Sequence, residues 1–110
     1  MANWIVTEIE ISGDRLFLEK LEKIINDCND TPMHDDGSES NWVGHILSAL
    51  GVNAKKFSER AFWSYAHFNK YGHLLFREES SWKRSNCVEV LKQHFQQDIN
   101  GINYKHIGWF

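Results

Sequence analysis

The chain has 110 residues, of which 42% are hydrophobic and 14% aromatic, which is enough to build one domain around a single core. Its formal net charge of −3 weakens general attraction to nucleic-acid phosphates. The sequence contains neither a run of 18 apolar residues nor the pattern of a signal peptide, so it predicts no membrane span and favours a cytoplasmic protein.

The charge is divided unevenly along the chain. Residues 1–54 hold ten acidic and three basic residues, a formal charge of −7. Residues 55–110 hold five acidic and nine basic residues, a formal charge of +4. Because summed surface charge steers encounters between molecules, this asymmetry points to a binding partner more than to chemistry.

The beginning of the chain predicts a strand, a helix and a loop. Residues Trp4 to Ile11 alternate between apolar and polar, which is typical of a strand with one buried face. Asp14 is expected to cap a helix whose apolar residues recur at three- and four-residue spacing. The segment 29–40 carries four acidic residues and the only proline, so it predicts an acidic loop.

The middle of the chain predicts a short helix and a hairpin. The helix spans 42–50, with Ser40 as its N-cap and Gly51 in the left-handed position after its end. A short helical turn over 55–60 is expected to follow. Residues 61–68 and 73–79 alternate as two strands joined by the turn 69–72, which predicts a β-hairpin.

The end of the chain predicts a third main helix and a last strand. Ser85 is expected to cap the helix, whose inner residues include Val88 and Leu91. The strand spans 102–107. With the small helix 42–50 treated as an insertion, the order of elements predicts one α+β domain over residues 1–110, with the ferredoxin-like βαββαβ topology: a four-stranded antiparallel sheet with helices on one face.

Several short segments resemble one protein family. They are residues 1–4, 12–14, 41–46 with 50–51, and 75–82. The chain resembles the Api92/YubB-like ferredoxin-like domains, which are carried by phages, plasmids and bacterial genomes. It departs from them at Ile5, where members usually have cysteine, and at Lys83, where they usually have proline. The resemblance implies the ferredoxin-like fold and a mobile-element origin, and it implies no established activity.

The cysteines and histidines show no pattern of a catalytic or metal site. Cys28 and Cys87 both fall on apolar helix stripes, which favours buried free thiols, with a disulfide between them as the alternative. The group from His34 to Glu39 lacks the ligand spacing of an EF-hand, and the histidines lack zinc spacing. The sequence therefore predicts no metal, no other cofactor and no enzyme activity.

The acidic loop and nearby aromatic residues are the predicted contacts for a partner protein. The acidic residues would supply electrostatic attraction, and exposed aromatic side chains would be the main contacts. The predicted partner-binding residues are Asp30, Asp35, Asp36, Glu39, Trp63, Tyr65, Trp82, Lys83 and Arg84. The predicted function is a non-catalytic protein-binding module, specifically a phage or mobile-element accessory protein that inhibits a host nucleic-acid machine such as a CRISPR effector.

The alternative function is direct binding of RNA or single-stranded DNA through an aromatic face of the sheet. Ferredoxin-like sheets can stack aromatic side chains on bases, and Trp63, Tyr65 and Trp82 lie near basic residues in the sequence. The motif of RNA-binding sheets, a basic residue followed by glycine and an aromatic residue, is absent. Because exposed sheet edges can pair with one another, self-association stays an alternative, and the sequence does not predict the oligomeric state.

Overall fold

The computed structural model describes residues 3–32, 40–53 and 60–109. Within these ranges the protein is α+β, with three helices and one antiparallel sheet. The elements in chain order are β1 Trp4–Gly13, α1 Arg15–Asp30, α2 Val43–Ala49, β2 Ala61–Trp63, β3 His67–Phe68, β4 Leu74–Ser81, α3 Cys87–His94 and β5 Ile99–Trp109. Within these ranges, no helix has the length and hydropathy of a membrane-spanning segment.

The sheet has the strand order β2-β4-β1-β5, and β3 pairs with β4 beside β2. Alternate residues of the two central strands, such as Ile9 of β1 and Phe76 of β4, are opposite each other and buried. Because neighbouring residues of a strand point to opposite faces, this register gives the sheet one apolar face. That face forms the core with buried residues of all three helices, including Leu21, Ile46 and Leu91.

The start of α1 follows the sequence-based prediction. The Oδ2 atom of Asp14 accepts a hydrogen bond from the N–H of Phe17 at 2.9 Å, which is the bond of an N-cap. The buried residues of the helix are Phe17, Leu18, Leu21 and Ile25. Their three- and four-residue spacing places one apolar stripe against the sheet.

The main departure from the predicted sheet is in the first arm of the hairpin. Residues 61–68 form two short strands instead of one, so the sheet has five strands and the predicted four-stranded ferredoxin-like topology is not confirmed. The break has a physical cause in α1. The Asn26 side chain accepts a hydrogen bond from the N–H of Ala66 at 2.7 Å and donates one to its C=O at 3.0 Å. A side-chain amide therefore takes the place of a strand partner at Ala66.

Of the other predicted helix caps, Gly51 is correct, and Ser40 and Ser85 are wrong, since Asn86 occupies the N-cap position of α3. Gly51 has a φ of 84°, which confirms the predicted left-handed residue after α2. Ser40 is not the N-cap of α2, because its hydroxyl donates to the C=O of Thr31 at 2.7 Å and Trp42 occupies the cap position. The predicted helical turn at 55–60 falls mostly outside the described residues.

Both cysteines are free thiols in the structure, as the sequence predicts. Cys87 is buried and Cys28 is partly buried. Burial raises the pKa of the Cys28 thiol, and the neighbouring Asp27 carboxylate adds to that effect. A thiol with a raised pKa is a weak nucleophile at neutral pH, which fits a packing role for Cys28.

The substitution Asn26→Ala tests the cause of the broken strand. It removes both hydrogen bonds to Ala66, which is a buried residue, so we expect the free energy of unfolding to fall by about 2–3 kcal/mol. Urea unfolding monitored by tryptophan fluorescence measures this change. The matched control is Lys20→Ala at an exposed position of the same helix. Equal stability of the two variants would contradict the explanation.

Candidate binding site at the tryptophan end of the sheet

Three of the five tryptophans lie at one end of the sheet. Trp4 begins β1, Trp82 directly follows β4, and Trp109 ends β5. The backbone N–H of Trp82 donates to the C=O of Asn3 at 2.7 Å. On the other side of β1, Trp109 is opposite Ile5 in the register. Trp82 and Trp109 therefore flank the start of β1 from its two sides.

Two of these side chains are largely in solvent. Trp82 is 61% exposed and Trp109 is 62% exposed, whereas tryptophan is a highly buried residue type on average. Trp4 is partly buried, with its ring 6.0 Å from that of Phe62 and the guanidinium of Arg60 at 5.4 Å from its centroid. Large exposed apolar side chains are a feature of contact surfaces. We refer to Trp4, Trp82, Lys83 and Trp109 as the tryptophan end.

The backbone of Trp82 adopts a conformation that disfavours a bulky side chain. Its φ is 70°, and it is the only non-glycine residue with positive φ in the described part of the chain. This conformation costs about 1–2 kcal/mol for a residue with a Cβ. Because the indole gains little core packing in return, stability alone does not account for a tryptophan at this position.

The turn that carries Trp82 is held by a buried carboxylate. Glu78 lies on the inner face of β4 and is completely buried. Its oxygens accept hydrogen bonds from the indole Nε1–H of Trp63 at 2.9 Å, from the backbone N–H of Ser85 at 3.1 Å and from the Ser85 hydroxyl. We call residues 82–85 the Trp82 turn. The bonds to Ser85 tie the far end of this turn to the sheet.

Of the two basic residues in the Trp82 turn, Arg84 is paired with other side chains of the described residues and Lys83 is not. The Nη1 atom of Arg84 lies 2.7 Å from Oε1 of Glu89, and the Arg84 guanidinium lies 3.7 Å from the ring centroid of Tyr104. Burial and the Glu89 carboxylate together raise the pKa of Tyr104. Lys83 is exposed and forms no ion pair with any described residue. Lys83 is therefore the free positive charge of the turn.

The prediction that Trp63 is an exposed contact residue is wrong. The side chain is completely buried, since Trp63 is opposite Glu78 in the register and so lies on the inner face of the sheet. Its ring centroid is 4.9 Å from that of Phe76, and its indole nitrogen donates to Glu78. The predicted exposure of Trp82 and Tyr65 is confirmed.

Asp30 and Tyr65 form a separate pair away from the tryptophan end. The hydroxyl of Tyr65 donates to Oδ1 of Asp30 at 2.5 Å, and this bond raises the pKa of Tyr65. The backbone N–H of Ser64, next to Tyr65, donates to the C=O of Arg77 in β4. Arg77 is five residues before Trp82 in the sequence. At strand spacing five residues span about 16 Å, so the Asp30–Tyr65 pair lies well away from Trp82. The other predicted acidic contacts, Asp35, Asp36 and Glu39, lie outside the described residues.

A carboxylate and an imidazole also meet at the end of the sheet that lies near the hairpin turn. Nδ1 of His73 lies 2.8 Å from Oε2 of Glu10, and the side chain of Asn69 donates to the same oxygen at 2.7 Å. The hydrogen bond with His73 is the main cause that lowers the pKa of Glu10. Both partners stay partly accessible, and Asn69 also accepts from the N–H of His73. This arrangement closes the hairpin turn.

Comparison of the chain with protein-family models, with curated proteins and with solved structures found no match. The resemblance to Api92/YubB-like domains therefore stays a prediction. Sequence reasoning missed Glu78 and Trp109 as residues of the site. The signal for Glu78 was present, since alternation from Leu74 places an acidic residue on the buried face of β4. Trp109 was missed because β5 continues beyond the predicted strand end.

Comparison of Trp82→Gly with Trp82→Ala tests the backbone cost at this position. Both variants lack the indole, and only alanine has a Cβ that disfavours positive φ. We expect the glycine variant to have the higher free energy of unfolding, by about 1 kcal/mol, in urea unfolding. An alanine variant that is equal or more stable would show that the turn has no such cost.

The substitution Glu78→Gln tests the hydrogen bonds that hold the turn. The new amide NH₂ would face a buried N–H or O–H donor, so we expect the free energy of unfolding to fall by about 2 kcal/mol. The matched control is Glu79→Gln, which makes the same chemical change at the next, exposed residue. The explanation requires a clear difference between the two variants in thermal or urea unfolding.

Proposed function

We propose that this domain is a non-catalytic protein-binding module whose contact surface is the tryptophan end. The observation that carries the proposal is Trp82, an exposed indole on a backbone conformation that costs free energy. Strained residues that the surroundings hold in place are concentrated at functional sites. Tryptophan is also the residue type most enriched among the dominant contacts of protein interfaces.

The arrangement around Trp82 suits binding for two further reasons. The hydrogen bond to Asn3 and the link from Ser85 to Glu78 fix the turn before a partner arrives. A fixed contact residue loses less conformational entropy on binding. Lys83 adds a positive charge next to the indole, which favours a partner surface with acidic residues at its rim.

A second candidate function is binding of single-stranded RNA or DNA at the same end of the sheet. The observation that favours it is the placement of Lys83 beside Trp82 and of Arg60 over Trp4. Aromatic rings that stack on bases, together with cations that contact phosphates, are the elements of such sites. The surface differs from the one expected from the sequence, since Trp63 is not accessible.

We also propose that the fold is a ferredoxin-like arrangement with a broken strand. In this interpretation β2 and β3 are two parts of one strand, because both pair with β4 in the antiparallel sense. Free cysteines support a reducing, cytoplasmic compartment. Inhibition of a host nucleic-acid machine by a mobile-element protein remains a prediction, since most of its acidic contacts lie outside the described residues.

An affinity capture with matched variants tests the protein-binding proposal. The tagged wild-type protein, Trp82→Ala and Tyr71→Ala are each incubated with nuclease-treated bacterial lysate, and bound proteins are quantified by mass spectrometry. Tyr71 is the control because it is 68% exposed but lies in the hairpin turn, at the other end of β4. We expect a partner that Trp82→Ala loses at least about tenfold and Tyr71→Ala retains. Equal capture by all three proteins would contradict the proposal.

A fluorescence titration with a single-stranded oligonucleotide separates the two candidate functions. If the second candidate is correct, tryptophan emission is quenched, the affinity falls steeply with salt, and Trp82→Ala abolishes the quenching. An unchanged emission spectrum at low salt would exclude nucleic acid and leave the protein partner.

A further inference from the structure

The strand β5 has an open edge. It is the terminal strand of the sheet and spans Ile99–Trp109, and its far edge pairs with no strand in the described part of the chain. The opposite edge of the sheet is partly covered, because Trp42 forms a bridge with Phe62 and the C=O of Asn41 accepts from the N–H of Trp63. A strand of this length with free N–H and C=O groups can accept another strand.

A groove of about 670 Å³ lies between one side of the α3 segment and Ile99 and Asn100, the first two residues of β5. The residues on the helical side recur at three- and four-residue spacing, so they form one continuous wall. The lining residues are Glu89, Lys92, Gln93, Gln96, Ile99 and Asn100.

The groove is lined by side chains that can form hydrogen bonds with a peptide. The amides of Gln93, Gln96 and Asn100 can each donate and accept hydrogen bonds, as a peptide backbone and its polar side chains require. The Glu89 carboxylate is bonded to Arg84, so its charge is compensated. Because Lys92 forms no ion pair with a described residue, its ammonium group is a free positive charge in the groove.

We propose that the β5 edge and this groove bind an extended segment of a partner protein, which adds a strand to the sheet and places an acidic side chain against Lys92. Main-chain hydrogen bonds to β5 would supply affinity, and alternate side chains entering the groove would supply specificity. The groove lies at the start of β5, and Trp109 of the tryptophan end lies at the other end of the same strand. The proposal therefore extends protein binding to a second surface and does not depend on Trp82.

Charge complementarity favours a different protein over a second copy of this chain. Residues 99–109 contain no Asp or Glu and include Lys105, so pairing of β5 with another β5 would bring no carboxylate to Lys92. A lysine on an edge strand also opposes self-pairing of that edge. The occupant is therefore an extended segment with at least one acidic residue.

Selection from a peptide library tests this site. Random peptides of about eight residues, which span roughly 26 Å when extended, are displayed on phage and selected against the wild-type protein. We expect enrichment of peptides that alternate β-branched with other residues and carry Asp or Glu. Amide hydrogen exchange by NMR should then slow along 99–104 when the peptide is bound. A failure to enrich any peptide, or protection confined to other residues, would overturn the proposal.

A charge exchange provides the control. Lys92→Glu should weaken the selected acidic peptide about fivefold, and the same peptide with Lys in place of its acidic residue should regain that loss. Lys20→Glu, an exposed substitution on α1, should leave the affinity unchanged. A peptide with all of its backbone amides N-methylated should not bind, because neither of its edges can donate main-chain hydrogen bonds to β5. Binding of that peptide, or equal effects of the two lysine variants, would contradict strand addition.

Discussion

The buried carboxylate of Glu78 is the constraint on which the candidate site depends. A charge or acid in the core is tolerated only when its hydrogen-bonding capacity is met, and here the donors come from different parts of the chain. Trp63 belongs to β2, and Ser85 belongs to the turn before α3. The hydroxyl of Ser85 also accepts from the N–H of Cys87 at 3.3 Å, at the start of α3. One side chain thereby joins two strands, a turn and a helix.

This constraint explains how an exposed tryptophan can be held in an unfavourable backbone conformation. The Trp82 turn is fixed at one end by the sheet, through the bond to Asn3, and at the other by Glu78. The unfavourable backbone conformation is confined to Trp82, whereas the interactions that stabilise it come from several elements of the fold. The result is an exposed indole on a fixed backbone at one end of the sheet. The β5 edge offers the opposite mode of recognition, in which the backbone supplies the contacts and side chains select among partners.

The sequence predicted the elements whose signals are local. The Asp14 cap depends on a residue three positions away, and Gly51 depends on its own φ, so both could be inferred from spacing and residue type. The broken hairpin arm depends on Asn26 and Ala66, which are 40 residues apart, and no local pattern reports such a contact. The burial of Trp63 was missed because alternation separates the two faces of a strand without saying which face the helices cover.

Amide hydrogen exchange in the Glu78→Gln variant tests the central claim most directly. If the carboxylate holds the Trp82 turn, the amides of residues 82–85 exchange much faster than in the wild-type protein, while those of β1 keep their protection apart from a uniform loss of global stability. The neighbouring Glu79→Gln variant should match the wild-type protein throughout. Unchanged exchange in residues 82–85, or equal loosening of the whole sheet, would contradict a specific role of Glu78 in presenting Trp82.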